Sequence, residues 1–345
     1  MIYFGVLAFI IWFGTIQKLN KKAYCILVSI CLILLIGLRH HGIGNDSWNY
    51  IQIFNGIISS DLSSALESPY YGEKGFIVLN HLVGIFTDNY TILFLLFAFF
   101  YIGAISLIIY KFSQLPWFSF FLFITFGFFT FGMTGLRQSL AMTFIFLSIF
   151  FILQKKLGLF LLFVGLACTF HLSAIIFLPA YWIYKLQLTK MQQLLLFSFI
   201  IAIKVFSITL YSVFNEYARI GYESETTGGN MAFLFICATV ALGIYYKKGL
   251  IEQNTENLFF LLMLISTISI WPLAQMHPVL FRLMFYYYAF MIILVPNLLE
   301  SIKKIKIKIY LIFAYIFIGL YFMIFKILLA QYNEYFLPYV FFWEA

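Results

Sequence analysis

The stretch TILFLLFAFFYIGAISLIIY, residues 91–110, runs for twenty residues without a charged side chain. A helix of that length rises about 30 Å, which matches the hydrocarbon thickness of a bilayer. The rest of the chain has the same character, because 64% of its 345 residues are hydrophobic and only 10% are charged. Soluble domains carry about 25% charged residues. The apolar runs are continuous rather than alternating, so we predict an all-α fold, a polytopic bundle of transmembrane helices, and not a barrel.

Apolar runs separated by charged breaks predict about twelve crossings, which together form a single membrane domain over residues 1–345. An even number of crossings places both termini on the same side of the membrane. The predicted spans lie near residues 2–17, 23–38, 91–110, 115–132, 136–154, 157–170, 172–185, 192–213, 230–247, 256–272, 280–299 and 309–330.

The lysines decide the orientation, because short cytoplasmic loops carry the excess of basic residues. Fourteen of the 17 lysines fall on one face of this topology. We therefore expect that face to be cytoplasmic and both termini to lie outside. The lysines on this face are Lys18, Lys21, Lys22, Lys111, Lys155, Lys156, Lys185, Lys190, Lys247, Lys248, Lys303, Lys304, Lys306 and Lys308.

One apolar segment, GFIVLNHLVGIF at residues 75–86, is too short to span, since 12 residues give only about 18 Å of helix. Counting it as a crossing would send most of the later lysines outside. We interpret it as a re-entrant or interfacial helix within a long outer loop, residues 39–90. A second outer loop is predicted at residues 214–229.

All the arginines and histidines fall on the outer face of this topology, against the rule that places basic residues inside. A functional reason for keeping them there is therefore expected. The planar guanidinium donates two parallel hydrogen bonds to phosphate oxygens and stays charged, which suits pyrophosphate binding. These residues are Arg39, Arg137, Arg219, Arg282, His40, His41, His81, His171 and His277.

Five polar patches on the outer face adjoin apolar spans, where ionisable side chains are costly enough to make each patch a candidate site. Arg137 is the least easily explained as one half of a structural ion pair, because its surroundings, FGMTGLRQSLAMTFIFL, carry no other charge. The patches are RHHGIGND with Tyr50, GEKGF with Glu73, GLRQSLA with Arg137 and Gln138, FHLSA with His171 and Ser173, and HPVLFRLMFYYY with His277 and Arg282.

Each patch also has a structural explanation. Arg39 and Arg282 could extend from span ends toward the interface, as long basic side chains commonly do. Asp46 could cap a helix or form a turn, and Glu73 could be a solvated loop charge. His171 could be a histidine satisfied at a helix break. The coincidence of five patches on one face favours a shared site over five separate explanations.

The patches resemble the motifs of the EpsG-like, Wzy-type polysaccharide polymerases. GLRHHGIGNDSWNYIQIF is similar to that family's opening pattern R-x-x-x-(V/I)-G-x-D-x-x-x-Y-x-x-F, matched here by Arg39, Gly44, Asp46, Tyr50 and Phe54. EKGFIVLN, LRQSLA and ACTFHLSA resemble its next three motifs, in the same order. A late R-x-x-x-Y element is matched by the stretch from Arg282 to Tyr286. The resemblance covers residues 37 to about 290.

This resemblance implies an inner-membrane glycosyltransferase that polymerises oligosaccharide repeat units outside the membrane, such as an O-antigen polymerase of lipopolysaccharide biosynthesis. The glycan on one undecaprenyl pyrophosphate would be transferred to the non-reducing end of the repeat unit on another. The implied partners are these lipid-linked glycans and a chain-length regulator. No nucleic-acid partner is expected.

The residue types fit that chemistry, because the transfer needs a stabilised pyrophosphate leaving group and a base for the acceptor hydroxyl. Arg137 and Arg282 are predicted to bind the pyrophosphate, with Arg39 assisting. The base remains open, with Glu73 and His171 ranked ahead of Asp46. No metal or other cofactor is expected, since the outer face has no dense carboxylate cluster. The predicted substrate-binding residues are Gln138, Tyr50, Ser173 and Tyr286.

Two other functions remain as alternatives. A transporter or flippase for lipid-linked oligosaccharide would also have twelve spans, although such proteins place polar groups near the bilayer midplane and show internal repeats, which this sequence lacks. An O-antigen ligase would need the same kind of outer arginine and histidine site.

Overall fold

The structure is a computed structural model that describes residues 2–16, 19–218, 230–275, 278–325, 329 and 335–344. Arg219, His277 and most of the predicted outer loop 214–229 lie outside these ranges. Over the described ranges the chain is helical, apart from connecting loops and one isolated antiparallel bridge. The all-α prediction is therefore confirmed.

Within the single membrane domain that we predicted, the chain forms two compact units, Met1–Ile175 with Lys304–Ala345, and Ile176–Lys303. In chain order the α-helices are α1 (Ile2–Ile11), α2 (Lys21–Gly37), α3 (Ser47–Ile58), α4 (Leu62–Glu67), α5 (Lys74–Gly84), α6 (Tyr90–Phe112), α7 (Pro116–Thr125), α8 (Phe128–Thr134), α9 (Leu136–Leu153), α10 (Leu157–Phe170), α11 (Ala180–Ile183), α12 (Lys190–Ala218), α13 (Asn230–Tyr245), α14 (Lys247–Gln253), α15 (Asn257–Ala274), α16 (Pro278–Leu283), α17 (Phe285–Tyr288), α18 (Met291–Ser301) and α19 (Ile305–Met323). Helices α1–α10 and α19 belong to the first unit, and α11–α18 belong to the second. A π-helical turn, Trp12–Ile16, follows α1, and a 3₁₀ helix, Leu172–Phe177, follows α10.

Four helices, α6, α9, α15 and α19, are long and apolar enough to cross a membrane alone. Three bent combinations also qualify if each is counted as one span: α7 with α8 at 53°, α13 with α14 at 71°, and α16–α17 with α18 at 40°. The described residues thus contain four to seven candidate spans, and the predicted count of about twelve is not confirmed. Most of the other predicted spans correspond to apolar helices that are shorter than the roughly 20 residues a crossing needs, such as α1, α2 and α10 with 10, 17 and 14 residues.

The predicted outer loop 39–90 is folded into three helices, α3, α4 and α5, with a hydrophobic core that they share with α6 and α9. Side-chain caps begin two of the nearby helices, since Asp61 accepts the Ser64 N–H of α4 at 3.0 Å and Asn89 accepts the Thr91 N–H of α6 at 2.8 Å. The core packs this segment on the first turns of α6 and α9, which fixes its position. Its buried members include Tyr50, Ile51, Phe54, Ile57, Phe76, Ile77, Leu93, Phe94, Phe97, Leu136 and Leu140.

The segment predicted to be a re-entrant or interfacial helix is α5, which is indeed helical and only 11 residues long. Phe76 and Ile77 on one face are fully buried, whereas Leu82 and Phe86 on or just beyond the opposite face are exposed. The helix is therefore amphipathic in its packing, held by the core on one side only.

Candidate active site

Glu73, Arg137 and His171, which come from three separate sequence motifs, meet in one cluster of the first unit. Arg137 Nη1 donates to Glu73 Oε2 at 2.9 Å. His171 Nδ1 lies 3.0 Å from the other carboxylate oxygen, Oε1. The backbone N–H of Leu172 donates to Oε1 at 3.2 Å. The carboxylate thus holds the guanidinium with one oxygen and the imidazole with the other, and all three side chains keep 21–31% of their surface exposed.

The cluster forms where three helix ends converge. Glu73 is the N-cap residue of α5, but its side chain makes no cap hydrogen bond and is directed to its neighbours instead. Arg137 is the second residue of α9, whose N-terminus carries the positive end of the helix dipole. His171 ends α10 in an extended conformation, with its N–H bonded to Ala167 O at 3.0 Å. Helix ends place these polar groups beside apolar helices without breaking any helix.

Two glycines beside Glu73 allow this convergence, and the sequence interpretation gave them no role. Gly72 has a φ of +91°, and a Cβ added there would overlap Arg137 Nη1. A Cβ at Gly75 would overlap Thr169 Oγ1, where the start of α5 meets the end of α10. The signal in the sequence was the pair of glycines on either side of the Glu-Lys dipeptide in GEKGF.

Tyr50 holds the other side of Arg137. Its phenol interacts with the guanidinium and the backbone of Arg137, and the residue is only 7% exposed. The negative charge of Asp46, one helical turn earlier, also acts on this phenol. The Phe76 ring lies 6.0 Å from Arg137 Cζ, within cation–π range. Tyr50 was predicted to bind substrate, whereas its contacts make it a support for Arg137.

Glu73 is ionised at neutral pH despite its partial burial. Burial by itself raises the pKa of the carboxyl group, but the hydrogen bond from His171 and the charge of Arg137 outweigh it and lower the pKa to about 2. The carboxylate therefore acts as an acceptor with three donors around it, namely Arg137, His171 and the Leu172 N–H.

Arg39, expected to assist in pyrophosphate binding, is fully buried (0% exposed). Its Nε donates to Ile43 O at 3.1 Å, and its Nη2 donates to Met133 O at 3.1 Å and to Ser47 Oγ at 3.3 Å. The guanidinium also lies over the Phe94 ring at 4.0 Å. The guanidinium satisfies carbonyl groups at the ends of α2 and α8 and in the loop after α2, so its burial fits a structural role and not contact with a ligand.

The remaining predicted residues lie in different environments. Gln138 and Tyr286 are buried, at 3% and 0% exposure, so neither presents its side chain at the surface of its unit. Ser173 is half-buried and lies two residues beyond His171. Arg282 is exposed on α16 and, like Tyr286, belongs to the second unit.

No group of three or more His, Cys, Asp or Glu side chains is arranged to hold a metal ion in the part of the chain that the structure describes. The charges of the cluster are instead one carboxylate and one guanidinium, together with an imidazole. Such a set can bind an anion through the guanidinium and exchange a proton through the imidazole.

Comparison with known proteins gives one match. No curated protein and no solved structure matches the chain significantly. The sequence profile described as the EpsG family matches residues 22–341, nearly the whole length, and this range includes every residue of the cluster. The chain is therefore a member of the EpsG family.

Proposed function

We propose that this protein is a polymerase that joins undecaprenyl-pyrophosphate-linked oligosaccharide repeat units on the periplasmic face of a bacterial inner membrane, as an O-antigen polymerase does. Membership of the EpsG family and the apolar helices support a membrane protein of polysaccharide biosynthesis. The observation that carries the finer proposal is the Glu73–Arg137–His171 cluster, which joins an anion-binding group to a proton acceptor.

The transfer would proceed by displacement of pyrophosphate. The bond between the donor sugar's anomeric carbon and the pyrophosphate oxygen breaks, and its electron pair leaves with the pyrophosphate. Arg137 stabilises this leaving group, because preformed hydrogen-bond donors are most effective where negative charge develops. The hydroxyl oxygen of the acceptor sugar bonds to the anomeric carbon and gives its proton to the base.

His171 is the base that the geometry supports best among the three candidates. The low pKa of Glu73 and its three donors make that carboxylate a weak proton acceptor. A carboxylate that binds Nδ1 of a histidine fixes the ring so that Nε2 is the nitrogen that accepts a proton. Glu73 would therefore orient His171 and Arg137, and Asp46 would act indirectly, through Tyr50.

The other expected features belong to the same proposal. Half-buried Ser173 would contact substrate near His171. The role of Arg282 in pyrophosphate binding stays a prediction from the sequence, since this exposed residue belongs to the second unit. The apolar runs predict about twelve crossings, and the lysine distribution would then place both termini in the periplasm. Transfer would need no metal, because arginine supplies the positive charge, and a chain-length regulator would be the protein partner.

The test uses a strain that lacks the gene and is complemented with variants of it. Its glycans are separated by length on a gel, where polymers of successive repeat units appear as a glycan ladder. Arg137→Lys and His171→Ala should each reduce polymer by about 10²-fold or more, leaving a single repeat unit on the lipid acceptor. Lysine keeps the charge of Arg137 but lacks the planar guanidinium, which binds phosphate oxygens through two parallel hydrogen bonds. The double variant should be little worse than either single variant, because residues that act as a unit are non-additive.

Matched controls are His81→Ala, a histidine of α5 outside the cluster, and Lys74→Ala, an exposed charge next to Glu73. Both should give a normal ladder. A normal ladder for Arg137→Lys and His171→Ala would refute the site. Complete absence of glycan on the acceptor in the deletion strain would instead support a flippase or a ligase.

A further inference from the structure

Four aromatic rings form a continuous surface at the start of the outer helical segment. His40 and His41 have ring centroids 3.8 Å apart, His41 and Trp48 5.0 Å apart, and His41 and Tyr90 6.2 Å apart. Trp48 is 54% exposed, and the other three rings are partly exposed. We refer to His40, His41, Trp48 and Tyr90 as the aromatic platform.

The backbone beneath the platform is held in place by the C-terminal segment. His40 N–H donates to Val340 O at 2.9 Å, and Gly44 N–H donates to Tyr335 O at 2.8 Å. Arg39 anchors the same loop from within, and Gly44, with a φ of +93°, lies against Met133 O too closely for a Cβ. A surface fixed in this way loses little conformational entropy when it binds a ligand.

The surroundings of the platform are polar but not basic. Asn45 and Asn49 are exposed beside it and Asp46 is half-buried, while the sequence from 40 to 50 contains no lysine or arginine. Burial and the neighbouring His40 lower the pKa of His41, which disfavours the charged form of this ring. Residues 40–50 therefore offer a phosphate group no lysine or arginine, and their polar side chains do not suit acyl chains. Flat aromatic faces edged by amide groups suit an uncharged sugar ring.

Helix α3 connects the platform to the candidate active site. Trp48 and Tyr50 both lie in its first turn, about 3 Å apart along the helix axis but on different sides of the helix, since Trp48 is exposed and Tyr50 is buried. Tyr50 interacts with Arg137. A sugar ring on Trp48 would therefore lie across one helix, about 10 Å wide, from the cluster, a distance that a few sugar units can span.

We infer that the aromatic platform is a glycan subsite, which holds an uncharged sugar ring of the oligosaccharide beside the Glu73–Arg137–His171 cluster. The inference rests on the proposed function for its place in the reaction. The binding itself requires neither the lipid nor the pyrophosphate, so it is tested separately from transfer.

The experiment is a titration of the purified full-length protein in detergent, followed by saturation-transfer NMR. The probe is the oligosaccharide released by mild acid from the host strain's lipid-linked repeat unit, which carries no lipid and no phosphate. Trp48→Ala should weaken binding roughly tenfold, as expected for loss of one stacked ring. Trp48→Phe, which retains an aromatic face, should bind within about threefold of the unchanged protein.

Trp12→Ala is the matched control, because Trp12 is 51% exposed but belongs to the turn after α1. It should bind the probe normally. Binding that Trp48→Ala leaves unchanged, or the absence of any binding to the unchanged protein, would overturn the inference.

The glycan ladder separates this inference from the proposed function. Trp48→Ala should still polymerise but give shorter chains, whereas Arg137→Lys should give a single unit. A normal ladder for Arg137→Lys would refute the proposed polymerase site but would not affect the conclusion that the aromatic platform binds sugar. Loss of probe binding with no change in chain length would place the subsite outside the reaction and overturn its assigned role.

Discussion

Arg39 and Arg137 show how differently one residue type can be used within the same unit. Arg39 has no exposed surface and donates mainly to carbonyl groups, whereas Arg137 keeps 31% of its side-chain surface exposed and bonds Glu73. Both were predicted to bind pyrophosphate, since each lies in a motif next to an apolar span. The hydrogen-bond acceptors around each guanidinium, which the sequence does not show, distinguish a structural arginine from one that can bind a ligand.

The low pKa of Glu73 predicts a specific pH dependence of stability. Because the folded protein lowers this pKa from 4.5 to about 2, the ionised carboxylate stabilises the fold fully above about pH 4.5. The contribution should be lost as the pH falls from 4.5 toward 2, since the unfolded chain takes up the proton first. After allowance for the exposed part of the cluster, we expect about 1–2 kcal/mol.

The measurement is thermal unfolding of the unchanged protein and of Glu73→Gln in detergent between pH 7 and pH 3. The difference in stability should be constant near neutral pH and shrink below pH 4.5. Glu67→Gln, an exposed acid at the end of α4, is the control and should show a much smaller difference. A Glu73→Gln difference that stays the same at pH 3 would contradict the assignment.

At the scale of elements, the ends of α5, α9 and α10 make the site, and their close approach depends on residues without side chains. Gly72 and Gly75 lie where Arg137 and Thr169 come nearest to the start of α5. The core shared by α3, α5, α6 and α9 then holds these ends together. Such an arrangement is rigid, which suits a site that must keep donors aligned.

Gly72→Ala should therefore reduce polymer formation by about tenfold or more while the protein still folds. The positive φ costs about 1–2 kcal/mol for alanine, and the new methyl group would displace the guanidinium of Arg137. The readouts are the glycan ladder and thermal unfolding in detergent.

Gly165→Ala is the control, because this glycine lies inside α10 with nothing within 4 Å of an added Cβ. It should leave the ladder unchanged and stabilise the helix by up to about 1 kcal/mol. Equal ladders for the two variants would mean that the conformation at residue 72 has no part in positioning Arg137.

At the scale of the whole molecule, the chain forms two compact units, and the cluster lies entirely within the first. Four to seven helices or bent helix pairs of the described residues can span a membrane. The orientation rests on the lysines, since their distribution predicts which loops are cytoplasmic.

Cysteine labelling checks this orientation. In a background with the four native cysteines replaced, Ser63→Cys on α4 and Lys156→Cys before α10 introduce single exposed thiols. A membrane-impermeant maleimide should label Ser63→Cys in intact spheroplasts and Lys156→Cys only after permeabilisation. The reverse pattern would place the cluster on the cytoplasmic side and refute a periplasmic polymerase.

Composition and motif order were sufficient to predict an all-helical membrane protein of the EpsG family and to identify Glu73, Arg137 and His171 as candidates. They were sufficient because charge is so costly in lipid that its rare occurrences are informative. The number of spans stays a prediction, because several of the apolar runs form helices shorter than a crossing needs.

The tertiary structure alone decided which candidates meet. Glu73 is 64 residues from Arg137 and 98 from His171, so no local pattern in the sequence could bring their side chains together. Nor could it assign the carboxylate's two oxygens to two different partners, or distinguish buried Arg39 from partly exposed Arg137. Hydrogen bonds act over about 3 Å, and only the folded chain determines which atoms come within that distance.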